Sequence, residues 1–352
     1  MWLRMGLLVA VLILAIGKTA LAGPAVAKDI LELPEWDMTS TAYGGKLLLS
    51  DSPEMVTADG VMYQDTVNGS VRLFFHHVND TKMPKKIVVL LENAGSQPAH
   101  IMVHQYGLGG PGYDYLAIGK EVQMAYLKGT NLYSIEVAAK ETTQLIPGLD
   151  HLVVQPNMLL NGMYDFITDQ PVKVRVIMLP VKADIKKFAK QAKVLPADQY
   201  HLRGTFEGKD RMLIPTKVYD PKQDGVVVLT LADNQLDRYV AGIDATDGTP
   251  TLNYGNYGVV YRLFLPSEAS DNITYFLNPR GGEYAGGIGV KYKFKLENPV
   301  PTPEGRVSFG SDVFKDVATI GCYQGGQSLW LTFSPPGASN LPVKLMIVPK
   351  KE

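Results

Sequence analysis

A single cysteine, Cys322, stands in a chain of 352 residues. A disulfide framework needs pairs, and Cys-rich zinc or iron–sulfur sites need several thiolates, so both are excluded. There is no basic surplus either. Lys and Arg number 34 against 35 Asp and Glu, a formal charge of −1, and the electrostatic footprint of phosphate-backbone binding is missing. Nucleic acid is not an expected partner. Past the N-terminal stretch no apolar run approaches the roughly 20 residues that span a bilayer, so no integral membrane segment is expected in the mature form. The exposed-serine signature Gly-x-Ser-x-Gly does not occur, and Asp and Glu are scattered through turns without a distinctive pair for glycoside hydrolysis.

What is present begins with an address. Met1-Trp2-Leu3-Arg4 is a short cationic start, Leu7 to Ile16 an apolar run, and Ala20-Leu21-Ala22 the small-x-small pattern of a signal-peptidase site. A second such pattern, Ala25-Val26-Ala27, follows, so cleavage before Gly23 and before Lys28 both remain open. Residues 1–22 read as a signal peptide, and the chain as secreted or cell-envelope associated. Removing them takes Arg4 and Lys18 and no acid, leaving a mature formal charge of −3.

The 34 glycines, 23 prolines and 18 tyrosines favour many short strands joined by tight turns. Strand-like runs recur at Val71–His77, Ile87–Leu91, His100–His104, Val172–Leu179, Val226–Leu231, Val259–Leu265, Leu329–Phe333 and Val343–Val348. Turn chemistry such as Asn68-Gly69, Asn161-Gly162, Asp224-Gly225 and Asp247-Gly248 separates them. One helical period is visible. In Ala183 to Val194 the residues Ile185, Phe188, Ala189 and Ala192 share a face, with four lysines on the remainder, and this small apolar face is expected to pack on a sheet rather than on a lipid surface. The expected fold is all-β, two tandem immunoglobulin-like or jelly-roll-type sandwiches joined by one short helix. The divisions are a signal peptide 1–22, an N-terminal extension 23–44, a first sandwich 45–182, a helical connector 183–204 and a second sandwich 205–352.

The halves resemble each other. Pro171-Val172-Lys173 and Pro342-Val343-Lys344 each open an apolar strand that ends in proline, with Met163–Phe166 and Leu329–Phe333 upstream of them. Further upstream, Ser70–Phe74 resembles Val260–Phe264. Three matches in one order suggest a duplicated domain.

Two sets of residues are candidates for binding. Gly107–Gly112 and Asn278–Gly287 are glycine-rich and tyrosine-bearing, and the first, leading into Tyr113-Asp114-Tyr115 and a further strand, reads as an exposed loop rather than a phosphate loop. Tyr113, Tyr115, Tyr257, Arg280 and Tyr284 would then offer rings and a cation to a glycan or a protein. The second set is His100, Met102 and His104, which at period two share a strand face. Imidazole and thioether suit copper or zinc, with His76-His77 available to complete a site, although such histidines read first as solvated side chains. Asp233, Asp237, Asp244 and Asp247 lack the regular calcium-loop spacing and read as turn acids.

Leu202–Phe206, Asn253–Tyr261 and Asn278–Gly282 carry a resemblance. On them the chain resembles secreted proteins of spore-forming and related bacteria, often labelled copper amine oxidase N-terminal domain proteins. That resemblance covers most of residues 45–350 and implies no activity. No segment matches the three copper histidines and quinone-forming tyrosine of those oxidases. The expectation is a non-enzymatic binding or structural protein without a cofactor, its partner a cell-wall glycan or an extracellular protein. The alternative is a secreted carbohydrate-active or metal-dependent enzyme.

Overall fold

β-branched and aromatic residues dominate the core positions, and they lie in strands almost throughout. The computed structural model describes residues 30–129 and 132–350, and is all-β and sandwich-like with two α-helices among those residues. The expected signal peptide 1–22 and both cleavage sites lie outside them. The first half holds β1 (Met38–Tyr43), β2 (Lys46–Ser50), β3 (Met55–Val56), β4 (Gly60–Asn79), β5 (Lys85–Glu92), β6 (Ala99–Gly112), α1 (Tyr115–Lys128), β7 (Tyr133–Val137), β8 (Thr142–Gln144), β9 (Leu159–Pro180) and α2 (Ile185–Gln191). The second holds β10 (Arg203–Glu207), β11 (Asp210–Pro215), β12 (Val227–Leu231), β13 (Ala241–Asp244), β14 (Thr249–Leu252), β15 (Val260–Phe264) and β16 (Asn272–Asn278). It continues through β17 (Gly286–Tyr292), β18 (Lys295–Leu296), β19 (Val300–Thr302), β20 (Ala318–Gln324), β21 (Leu329–Phe333) and β22 (Val343–Pro349).

Two strands are far longer than their sequence punctuation suggests. β4 has 20 residues and β9 has 22, paired antiparallel along their length. Asn68-Gly69, expected as a turn, lies inside β4 where the register shifts between Val67 and Gly69, and Asn161-Gly162 lies inside β9. A bulge adds bend and twist. The ribbon folds over on itself, so that Val71, Leu73 and Phe166 share one core with Val174, Val176, Ile87 and Val89. In the second half the two layers are separate sheets. The strand order β1-β11-β15-β21-β17-β18 faces β12-β22-β16-β20, with Tyr261, Leu263 and Leu331 packed with Leu229, Tyr275 and Leu345.

The halves repeat one layout. β2 runs parallel to β4 as β11 runs parallel to β15, and β5 flanks the end of β9 as β16 flanks β22. The register agrees as well. Val71 pairs with Phe166 and Phe74 with Met163, while Tyr261 pairs with Phe333 and Phe264 with Trp330.

The first strands of the two halves are exchanged. β1 pairs with β11 of the second half, and β10 pairs with β2 of the first. β13 and β14 follow β10 into the first-half sheet. The described part of the 23–44 extension likewise belongs with the second half: Ile30 and Trp36 are buried there, and Glu35 accepts from Thr230 and Lys344. The sheets therefore cross the divisions drawn along the sequence. α2 lies where the periodicity puts it, capped by Asp184 and packed through Ala189, Ile185 and Phe188 on β5 and β9.

α1 corrects the expectation of a strand after Gly112. Asp114 accepts from the Ala117 amide as N-cap, and Gly129 closes the helix in the left-handed region at φ 63°. Its neighbours on both sides are glycines. A Cβ at Gly107 of β6 would meet the Val122 carbonyl oxygen at 2.1 Å, and one at Gly119 of the helix would meet that of Gly337 at 1.9 Å. The expected glycine loop is thus a strand with a helix lying on it, and the second half closes over the helix's other side. Lys120 donates to the carbonyls of Pro303, Arg306 and Val307, while Gln123 accepts from the Gly287 amide and donates to the Ser334 carbonyl.

Candidate functional site

Where α1 begins, the two halves leave an open groove of about 670 Å³ lined by Glu54, Tyr113, Asp114, Tyr115, Leu116 and Ala338. The first five come from the first half and Ala338 from the loop before β22. Tyr113 is 64% exposed, and Tyr115 is half-buried with its hydroxyl donating to the Asn157 carbonyl at 2.8 Å.

Behind this surface lies a set of buried polar groups. Asp51 is fully desolvated beside Glu54 and Asp198, and this holds its carboxyl well above the usual range. Glu54 is raised too, by burial and then by the Asp198 charge. Asp198 is committed: it accepts from the Ser52 hydroxyl and from the amides of Glu54, Tyr200 and His201, tying the two segments together. His76 Nε2 lies 3.8 Å from Glu54 Oε1, and burial pushes the ring down to about 3. His77 is held near 4, chiefly by burial. Its Nδ1 donates to the Pro53 carbonyl at 2.9 Å, so the neutral ring accepts at Nε2 from the Ser50 hydroxyl at 2.8 Å. That serine–histidine contact is fully buried and serves as a brace.

Gly337, next to Ala338, is wedged against this set. A Cβ there would meet His76 Nδ1 at 2.6 Å and Asn161 Oδ1 at 2.8 Å, and both of these buried atoms lack a hydrogen-bond partner. The groove therefore has an aromatic rim, two accessible carboxyls in Glu54 and the helix cap Asp114, and unspent hydrogen-bonding capacity close behind its wall.

The five candidate binding residues are dispersed. Tyr113 and Tyr115 line the groove. Tyr257 is packed on Phe74 and donates to the Ser339 carbonyl, and its hydroxyl pKa is raised first by burial and then by the neighbouring Asp51 and Glu54, so it belongs to the groove's foundation. Arg280 stacks over Phe314, 4.7 Å from the ring centroid. Tyr284, expected as an exposed ring, has no exposure and packs against Phe309. The loop after β16 winds inward to meet the segment around Ser339, which pairs with both backbone groups of Ala285.

His100 and Met102 are exposed on one strand face, and His104 is half-buried beside a register shift between Val103 and Gln105. The His100 ring binds Asp169 at 2.8 Å with Glu136 at 3.7 Å, and its pKa is raised by Asp169. His76 and His77 do not join it. His76 pairs with Asn161 and Ile101 with Thr168, seven positions along β9, roughly 23 Å apart at ~3.3 Å per residue. The His/acid cluster of metal-compatible spacing among the described residues is instead His201, Asp244 and Asp247. There Arg203 already neutralises Asp244, with Nε at 2.6 Å. The four turn acids fall into two pairs: Asp233 accepts from the Asp237 amide while Asp237 pairs with Arg211, and Asp247 holds Thr249 beside Asp244.

The groove acids Asp51, Glu54 and Asp198 escape sequence reasoning because Asp51-Ser52-Pro53-Glu54 looks like ordinary turn chemistry. Of the three segments quoted for the resemblance, Leu202–Phe206 lies in β10 save for Leu202, and the other two hold turns. Asn253 bonds both backbone groups of Tyr257, Asn256 bonds the Val240 amide and the Tyr261 hydroxyl, and Asn278 donates to the carbonyls of Val313 and Asp316.

No protein-family model matches the chain, and no curated protein sequence does. Solved structures are only distantly similar. The CUB1-EGF-CUB2 domain of human MASP-1/3 is 12% identical, covering 88% of this chain and 98% of that one, at a TM-score of 0.20. The laccase from B. aclada is 11% identical over 77% and 48%, at 0.14. An oxalate decarboxylase from Lactobacillus farciminis is 9% identical over 89% and 88%, at 0.12. Scores this low carry no argument about fold relationship or activity.

Proposed function

We propose that the chain is a non-enzymatic binding protein of the cell envelope or extracellular space, and that the groove at the start of α1 takes a glycan. The observation that carries the reading is the pairing of Tyr113 and Tyr115 on an open groove of about 670 Å³ that is also lined by the carboxyls of Glu54 and Asp114. Aromatic faces stack on sugar rings and carboxylates accept from hydroxyls. The groove is open rather than enclosed, which suits a polymer better than a small metabolite.

Binding without turnover is favoured because a two-carboxylate hydrolysis lacks its second member. Asp51 is fully buried with its carboxyl raised well above the usual range, the oxygens of Asp198 are committed, and Asp114 caps α1. The enzymatic reading keeps one supporting observation, the raised carboxyl of Glu54. Retention on cell-wall polysaccharide by the wild-type chain and by Tyr113→Ala tests the proposal. Retention should fall in the variant, with no release of reducing ends by either protein. Release of reducing ends that Glu54→Gln abolishes would overturn the non-enzymatic reading.

A further inference from the structure

The repeated layout exposes a face in one half that is covered in the other. In the first half the cross-strand row Phe74–Met163–Gly107 lies beneath α1 and the second half, with Phe74 and Met163 each 2% exposed. The corresponding row of the second half is Phe264–Trp330–Lys291, extended by Leu296 on β18. Directly paired residues share a sheet face. Here the row is open: Phe264 and Trp330 are half-buried with ring centroids 4.8 Å apart, Lys291 is exposed and Leu296 is 63% exposed.

The row ends at the β17–β18 hairpin, whose sequence Lys291-Tyr292-Lys293-Phe294-Lys295-Leu296 alternates cations with apolar side chains. Its two-residue turn is Lys293-Phe294, with φ of 47° and 66°, a conformation for which Asn-Gly is the favoured pair. Phe294 stands 81% exposed, the most exposed large hydrophobic side chain among the described residues. The three lysines form no ion pair among the described residues; Lys293 lies over the Tyr292 ring.

We propose that this hairpin docks on an anionic lipid bilayer surface. A local charge of three lysines stands on a chain of formal charge −1, so attraction is confined to this tip. Phe294 and Leu296 enter the boundary between headgroups and acyl chains while the lysines stay among the phosphates. A purely polar anionic polymer would use the lysines and leave the exposed ring unexplained. This surface is separate from the groove and does not rest on the glycan reading.

The test is sedimentation of the full chain with vesicles of phosphatidylcholine, with and without an equal part of phosphatidylglycerol. Binding should require phosphatidylglycerol, weaken with added salt, and fall about tenfold or more in Phe294→Gly, which removes the ring while giving the turn a residue suited to positive φ. The melting temperature of that variant should not fall. Lys293→Glu with Lys295→Glu should abolish binding, and Tyr113→Ala should leave it unchanged. No binding to phosphatidylglycerol vesicles, or binding indifferent to Phe294→Gly, would overturn the proposal. So would retention on a soluble anionic polymer that ignores Phe294, or self-association without lipid that Phe294→Gly abolishes.

Discussion

The two halves share a strand layout and a register, yet one is buttressed by charge at the very place where the other is left open. In the first half Arg72 is 1% exposed and sits at the junction: it donates to both oxygens of Asp165 at 2.6 and 2.8 Å, to the carbonyls of Lys209 and Gly258, and to the Tyr126 hydroxyl of α1. Its counterpart Arg262, opposite Thr332 as Arg72 is opposite Asp165, is half-buried, donates to the Thr332 hydroxyl at 3.1 Å and has the Tyr43 hydroxyl as its other hydrogen-bond partner. A repeated fold thus divides labour by what covers each copy. The covered face of the first half became the clamp around α1, and the groove lies at the clamp's edge.

The largest difference between the halves is expected at the equivalent arginines. Arg72→Met should cost about 3–5 kcal/mol, because it leaves Asp165 buried with only Lys209 beside it, whereas Arg262→Met should cost less than about 1 kcal/mol. Thermal or denaturant unfolding checks both. Equal costs would mean that the halves are not differently loaded. Tyr284 comes next. As a fully buried ring it should lose about 3 kcal/mol on change to Ala, with polysaccharide retention per folded molecule unchanged. Reduced retention without destabilisation would return the loop to the surface role that its sequence suggests.

A smaller, pH-dependent difference follows from the histidines, none of which lies beyond His201. His76 and His77 are held neutral, at about 3 and about 4 against an ordinary 6.5, so the unfolded chain protonates first. Their contribution is complete above pH 6.5 and is lost as pH falls toward 4, at a slope of about 1.4 kcal/mol per pH unit for each ring. Asp51 acts with the opposite sign. Its raised carboxyl stabilises the folded chain at low pH and loses that contribution as pH rises through its folded value. Hydrogen exchange at pH 5 should therefore report earlier opening around β4 than around β15. His76→Asn should flatten the difference, and uniform opening across both halves would exclude this origin.

The strand inventory was legible because one face of most strands is buried and the period-two alternation survives. Each of the eight runs read from sequence falls in a strand or overruns it by one residue at one or both ends, and α2 sits within its expected span. α1 was hidden by its own environment. With Gly107 and β9 on one side and Gly287 on the other, its apolar residues Leu116, Ile118, Val122, Met124 and Leu127 surround the helix instead of forming one stripe, and Gly119 lowers its propensity. Only the caps Asp114 and Gly129 marked it. Asn68-Gly69 misled because a bulge and a turn call for the same residues. The exchange of β1 and β10 depends on pairing across more than 150 positions, which no local pattern records. Tyr113 and Tyr115 were legible as rings near glycine, but the acids behind them were not, since their proximity arises only when residue 198 returns to residue 51.

On the proposed reading the groove, and not exposed tyrosine in general, holds the ligand. Tyr113 at the groove and Tyr254 in the second half, 64% and 52% exposed, make a matched pair of surface rings. Changing either to Ala should shift stability by less than about 0.5 kcal/mol. Titration with soluble cell-wall oligosaccharides should show weakened binding for Tyr113→Ala of about fivefold or more, as expected for loss of about 1 kcal/mol of stacking, and wild-type binding for Tyr254→Ala. Equal weakening in both variants, or wild-type affinity in Tyr113→Ala, would show that the groove is not the binding site.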